Sequence, residues 1–211
     1  MSRLAWDIDA VHRRRWPSRP VSLASRSLLL VCSPSLQLML IHRFTRWSYL
    51  KRSNGNRWAW LWHLILIPFA PIKLAFKISS KSEIDERIEI DSGVCFSDQG
   101  YIMFGARKTG TGTVIGTRVT VGMGHADNGR PMIGRNVWIG SDCVVYGAIS
   151  IGDGATLLPG TVLSKSIPAG VVMHGNPARL VLRNFDNSEL RMLQDADAMQ
   201  HVTEKWGCLN V

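Results

Sequence analysis

From Ile133 the chain divides without remainder into six consecutive hexads: IGRNVW, IGSDCV, VYGAIS, IGDGAT, LLPGTV and LSKSIP. The first position is always Ile, Val or Leu, and the fifth is Val, Cys, Ile, Ala, Thr or Ile. The second is Gly in three of the six. Earlier copies start at Ile84 (IDERIE), Ile90 (IDSGVC) and Ile115 (IGTRVT). A period of six fits neither an α-helix nor an ordinary strand, whose side chains repeat every 3.6 and 2 residues. It fits three short strands joined by tight turns into a triangular coil of about 18 residues, stacked with its aliphatics in inward columns. Glycine at the second position is read as a turn residue that tolerates unusual dihedrals. Residues 84–181 then hold roughly five coils of a parallel β-helix. A β-sandwich needs period-two strands and does not give six uninterrupted hexads.

The early copies (84, 90, 96, 102) and the late ones (115, 121, 133 onward) differ in phase by one residue, which places one extra residue within 103–114. A larger break lies between Val121 and Ile133, in VGMGHADNGRPMI, and carries His125. After Pro168 the rhythm ends. Asp186 and Glu189 are spaced as a capping box, which predicts a helix running to about Trp206. It is expected to pack along the solenoid or onto a neighbouring subunit.

Residues 1–80 have another texture. Leu36, Leu40, Phe44 and Trp47 fall at near-helical spacing, and SNGN at 53–56 reads as a turn between helices. This region carries 13 Lys/Arg against 2 Asp/Glu, while residues 81–211 carry 12 against 14. Trp6, Trp16, Trp47, Trp58, Trp60 and Trp62 lie there too. Basic residues among tryptophans suit an anionic membrane surface, or else a solvated basic face over a small helical core. Leu28–Ile41 is cut by Ser33-Pro34-Ser35, and the stretch 58–72 by His63, Pro68 and Pro71, so a surface-lying or core helix is expected rather than a span. The organisation read from the sequence is thus a basic, Trp-rich helical region (1–80), a mainly β solenoid (81–183) and a C-terminal helix (184–211). Cys32, Cys95, Cys143 and Cys208 are too sparse for a disulfide framework and lack metal-ligand spacing. Arg13–Arg15 is followed by WPSRP rather than an apolar run, so no signal peptide is expected. A cytoplasmic protein follows, peripheral to the inner face of a membrane if the N-terminal region binds lipid. The basic residues are mixed with apolar runs and form no nucleic-acid module.

The hexads, the His-bearing break and the ending GNPARLV together resemble the hexapeptide-repeat acyltransferases, which form left-handed parallel β-helices. The resemblance covers residues 80–183. GMGHADNGRPMIGRNVWIG is similar to the sugar and xenobiotic O-acetyltransferases. The N-terminal region, with IHRFTRW, resembles the serine-acetyltransferase-like proteins of exopolysaccharide gene clusters. The family implies a homotrimer with active sites between solenoids and acetyl-CoA as donor. It also implies an O-acetyltransferase acting on a sugar or glycan precursor. The Asp-His-Ala-Thr-Gly motif of serine acetyltransferases is replaced by Phe96-Ser97-Asp98-Gln99-Gly100, without a histidine. That argues against serine as acceptor and moves the catalytic nomination to His125. Histidine can take and return a proton near neutral pH.

Asp127 is a candidate to orient the imidazole or bind acceptor hydroxyls, and Asp98 to line the acceptor pocket. Gly140, Ser141, Pro159 and Gly160 are candidates for a pantetheine groove, with backbone N–H groups near Gly140 and Ser141 as oxyanion donors. Trp138 matches a family tryptophan near the donor, Ser164-Lys165 a family pair near CoA, and Arg179 a residue near its phosphates. His174 is read as structural. The alternatives are a serine O-acetyltransferase-like enzyme and a non-catalytic β-helix used for trimerisation or scaffolding. A γ-type carbonic anhydrase needs three zinc-bound histidines, and His125 has no partner at suitable spacing, so no metal is expected.

Overall fold

The computed structural model describes residues 3–53, 70–71, 74–124 and 129–206. The 53–56 turn beyond Ser53, most of the stretch 58–72 and His125–Asn128 fall outside these. Fourteen short parallel strands, β1 (Glu83–Ile84) to β14 (Val172–His174), wind into five coils. They stack as three sheets: A (β1-β4-β7-β10-β13), B (β2-β5-β8-β11) and C (β3-β6-β9-β12-β14). Ile167 adds a single parallel bridge to Ile151 in sheet B. β15 (Arg179–Leu182) then turns back antiparallel on β14 and closes sheet C.

The inward column holds the residues expected at hexad positions one and five, among them Ile133, Val137, Ile139, Cys143, Val145, Ile149 and Leu157. The phase change has a different origin from a single inserted residue. Pairing of Ile84 with Phe104, Ile90 with Thr109 and Phe96 with Ile115 gives steps of 20, 19 and 19 residues. Two residues are therefore added before Phe104 and one is removed before Thr109.

The second-position glycines also act otherwise than expected. A Cβ on Gly140 would lie 2.9 Å from Pro159 N, and one on Gly134 2.9 Å from Asp153 N. Their need for glycine is close approach of the next coil, not an unusual dihedral. Left-handed φ occurs at the fourth hexad position instead, at Asn136 (55°), Asp142 (61°) and Gly160 (76°).

A second core covers the outer face of sheet C. Val114, Trp138 and Val172 point outward under Ile8 and Val11 of α1 (Arg3–Arg15), Leu29 of α2 (Leu23–Cys32) and Leu36 of α3 (Pro34–Ser53). Leu190 of α4 (Ser188–Met192) with Ala198 and Val202 of α5 (Asp195–Trp206) complete it. The predicted C-terminal helix is thus two helices, and both lie along this chain's own solenoid. Asp186 is not the cap residue. It accepts from Ser188 N at 2.9 Å, while Asn187 occupies the N-cap without a side-chain hydrogen bond.

α3 plugs the first coil. Leu38 and Met39 join the inner core, and Arg43 donates to Ile90 O (2.5 Å) and Asp91 O (2.8 Å). Arg46 reaches Arg87 O and Ile88 O. The buried stripe of α3 therefore includes Leu38, His42 and Thr45, while Trp47 is exposed. Among the described residues no single helix is long and apolar enough to cross a membrane. α2 and α3 pass such a test only as a pair bent by 86°.

Candidate active site

Strand pairing decides what the edges of the prism present. Val121, Val145 and Leu163 stack in register in sheet A. The segments following them therefore form one column on the A–B edge: the His-bearing break, Gly147-Ala148, and Ser164-Lys165. The step from Val121 to Ile133 in the next sheet takes 12 residues rather than six, so the break leaves the wall as an outward loop. Its C-terminal root sits directly on the coil beneath. A Cβ on Gly129 would lie 2.2 Å from that of Ala148, so only glycine fits there. Arg130, next along, pairs with Asp85 at 2.6 Å. Burial raises the Asp85 carboxyl pKa, but the Arg87 N–H and the Arg130 guanidinium outweigh it and hold it below the usual carboxylate value. With coils spaced by about 4.8 Å, the loop and Lys165 are roughly 10 Å apart along this edge.

His125 and Asp127 themselves lie outside the described residues; the loop's roots are what the structure places. Ser164, Lys165 and Arg179 come together in a groove of about 430 Å³ at the last coil, with Pro177 and Arg183. Arg183 escaped sequence reasoning. Its signal was a second basic residue four positions after Arg179, at the end of a strand not expected to fold back.

Gly140, Ser141, Pro159 and Gly160 lie on a different edge, C–A. Gly160 N donates to Ser141 O at 2.9 Å and Asp142 N to Thr117 O at 3.0 Å, which ties three successive coils there. Ser141 is buried, whereas Gly160 is exposed with open space where a Cβ would stand. Within one chain the expected donor residues are therefore split between two edges.

Two nominations acquire structural occupations. Trp138 is 3% exposed and sealed in the second core between sheet C and the helices. Asp98 caps the α2–α3 break: its Oδ1 accepts from Ser33 Oγ (2.8 Å) and Ser35 N (3.0 Å), and its Oδ2 pairs with Arg15 (3.2 Å). His174 is half-buried on β14, and its Nδ1 is buried without a hydrogen-bond partner. Among the described residues no group of three His, Cys, Asp or Glu is placed to hold a metal.

Comparison with known proteins agrees with this architecture. Residues 130–165 match the bacterial transferase hexapeptide (six repeats), and residues 103–126 the hexapeptide repeat of succinyl-transferase. The solenoid is thus a left-handed parallel β-helix of the hexapeptide-repeat transferase class. The chain is 31% identical over 70 residues to a chloramphenicol acetyltransferase of Agrobacterium fabrum, which is 33% of this chain and 34% of that one. It is 30% identical over 132 residues to serine acetyltransferase 2 of Arabidopsis thaliana, 60% of this chain and 39% of that one. The chain spans about a third of the length of these relatives. Among solved structures, serine acetyltransferase from Vibrio cholerae superposes with a TM-score of 0.70 at 20% identity, over 90% of this chain and 68% of that one. Serine acetyltransferase in complex with coenzyme A from Brucella abortus gives 0.67 at 22%, over 85% and 66%. At such identities these structures speak for the fold alone.

Proposed function

We propose that this chain is an acetyl-CoA-dependent O-acetyltransferase that works as a homotrimer, with a sugar or glycan hydroxyl as acceptor and His125 as general base. The observation that carries the proposal is the A–B edge: a loop bearing His125 stands two coils from Ser164-Lys165, and the groove at that last coil carries Arg179 and Arg183. Three cationic side chains at one end suit phosphates, and a loop at the other suits a base beside the acceptor. The split of Gly140, Ser141, Pro159 and Gly160 onto the C–A edge favours a site shared between neighbouring copies, one edge from each.

Acetyl-CoA supplies the acetyl thioester. His125 takes the acceptor hydroxyl proton as the oxygen attacks the thioester carbonyl. The new C–O bond forms, the C–S bond breaks, and the proton passes to the departing thiolate. Lys165, Arg179 and Arg183 hold the donor's phosphates. Asp127 orients the imidazole or the acceptor.

Serine is a second acceptor reading, supported by the similarity to serine acetyltransferases. Commitment of the Asp98 carboxylate to Ser33, Ser35 and Arg15 weighs against it. Exposed Leu23, Leu28 and Val31 on α2, together with the basic N-terminal charge, support peripheral contact with an anionic membrane at its cytoplasmic face.

Calorimetry with acetyl-CoA tests the donor half, and a screen of glycans, simple sugars and serine tests the acceptor half. We expect saturable donor binding that is about tenfold weaker in Lys165→Ala, of the size of one charged hydrogen bond lost. His125→Ala should bind the donor normally, remain trimeric and lose transfer. Full activity in His125→Ala overturns the base assignment, and absence of donor binding overturns the enzyme reading.

A further inference from the structure

A second cleft, of about 500 Å³, lies on the third edge of the prism. α1 forms one wall, the B–C turns of the first three coils form the floor, and α4 forms the other wall. Trp6, Arg13, Arg14 and Arg191 line it, and no carboxylate does. Arg191 is held over the floor by neutral oxygens only. Its Nε donates to Asn187 Oδ1 at 2.9 Å and its Nη1 to Asn136 Oδ1 at 3.1 Å. Burial lowers its pKa against the opposing pull of Asp186. Asp186 in turn accepts two hydrogen bonds from Ser188.

The floor is shaped to allow this. Gly112 has φ +70°, and a Cβ there would lie 2.3 Å from Asn136 Oδ1 and 3.5 Å from Arg191 Nη1. Arg14 is fixed across the cleft, with its Nε donating to Leu193 O at 2.6 Å. Arg13 is exposed and has no ion-pair or hydrogen-bond partner among the described residues. Trp6, seven residues earlier on the same face of α1, is 51% exposed. A half-exposed indole beside three guanidinium groups, in a cleft of ligand size, offers stacking and bidentate anion contacts together.

We propose that this cleft binds a small phosphorylated compound carrying a planar ring, with the phosphate between Arg13 and Arg191 and the ring against Trp6. It lies on a different edge from both Lys165 and Gly140 and does not depend on acetyl transfer.

The test is calorimetric titration of the full-length protein with inorganic phosphate, adenosine and adenosine 5′-monophosphate. The variants are Trp6→Ala, Arg13→Glu and the double change Lys165→Ala/Arg179→Ala. Trp6 and Arg13 stand on the outer side of α1, and an unchanged unfolding midpoint verifies that each variant is folded. We expect the monophosphate to bind wild type and the double variant alike. Arg13→Glu should weaken it at least tenfold. Trp6→Ala should weaken it about threefold or more while leaving inorganic phosphate unaffected, the scale of one stacking contact. Adenosine should bind far more weakly. Three results overturn the proposal: no saturable binding of the monophosphate, binding lost in the double variant but kept in Arg13→Glu, or equal affinity for inorganic phosphate and the monophosphate.

Discussion

Asp7 of α1 and Arg43 of α3 form an ion pair of 3.1 Å in which the carboxylate is 1% and the guanidinium 16% exposed. Asp7 Oδ1 also accepts from Gly93 N at 2.7 Å, and Arg43 holds the carbonyls of Ile90 and Asp91. One buried pair thus joins two helices to the first coil. Removing one partner strands the other charge, a loss of about 3 kcal/mol or more. Asp7→Ala should therefore lower the denaturant midpoint strongly. Amide exchange should then rise first in α1 and α3, with the later coils protected. Equal loss of protection throughout would show that the helices and solenoid unfold as one unit.

Asp98→Ala separates a capping role from an acceptor-binding one. The capping contacts to Ser33 and Ser35 are partly exposed, so the loss of stability should be modest, about 1 kcal/mol. If Asp98 serves only the α2–α3 break, the KM for acceptor is unchanged. A large rise in KM with unchanged stability would return Asp98 to the site.

Gly140 and Gly160 neighbour each other on one edge yet need glycine for different reasons. Gly140→Ala forces a Cβ against the Pro159 backbone and should cost about 1–3 kcal/mol by pushing coils apart. Gly160→Ala meets open space but keeps φ near +76°, and should cost about 1–2 kcal/mol through dihedral strain alone. Asparagine at 160 should recover part of that loss and should recover nothing at 140. Thermal unfolding of the four variants reads the difference.

His42 is buried against the first coil, and desolvation, then the charges of Arg43 and Arg46, lower its pKa from 6.5 to about 4. A depressed histidine pKa means that the unfolded chain takes up the proton first. Stability is therefore full above about pH 6.5 and falls as pH drops toward 4, by about 3 kcal/mol for this group. Comparing wild type with His42→Leu at pH 7.5 and pH 4.5 isolates its share from that of the carboxylates. An equal pH-dependence in both proteins would remove His42 from the account.

The hexads made the five coils and their inward residues legible because period six has one economical three-dimensional solution. They could not say which sheet would be covered. In sheet C both parities are apolar (Cys95-Phe96, Val114-Ile115, Trp138-Ile139), and that doubled signal marks a face buried under helices. Trp138 carried the signal and was assigned to a ligand because its neighbours matched a motif. The helical period of α3 was visible, but its buried stripe includes His42 and Thr45, which hydrophobicity does not select. Asp186 had capping spacing, yet Ser188 is nearer in the chain and takes its carboxylate. The break at His125 was visible as a loss of rhythm. Its place on the same edge as Lys165 depends on counting through three sheets, where the 20-, 19- and 19-residue steps matter as much as the regular ones.

β15 has a consequence beyond closing sheet C. A stack of identical parallel rungs ends in unpaired backbone groups that would accept a further rung from any similar chain, the geometry by which solenoids polymerise end to end. By reversing direction, with a register shift at Val172/Met173, β15 presents the wrong polarity for such growth. At the opposite end α3 answers the first coil's carbonyls with two arginines. Each molecule thus stays finite, and association between copies is left to the sides of the prism, where edges from different copies can meet.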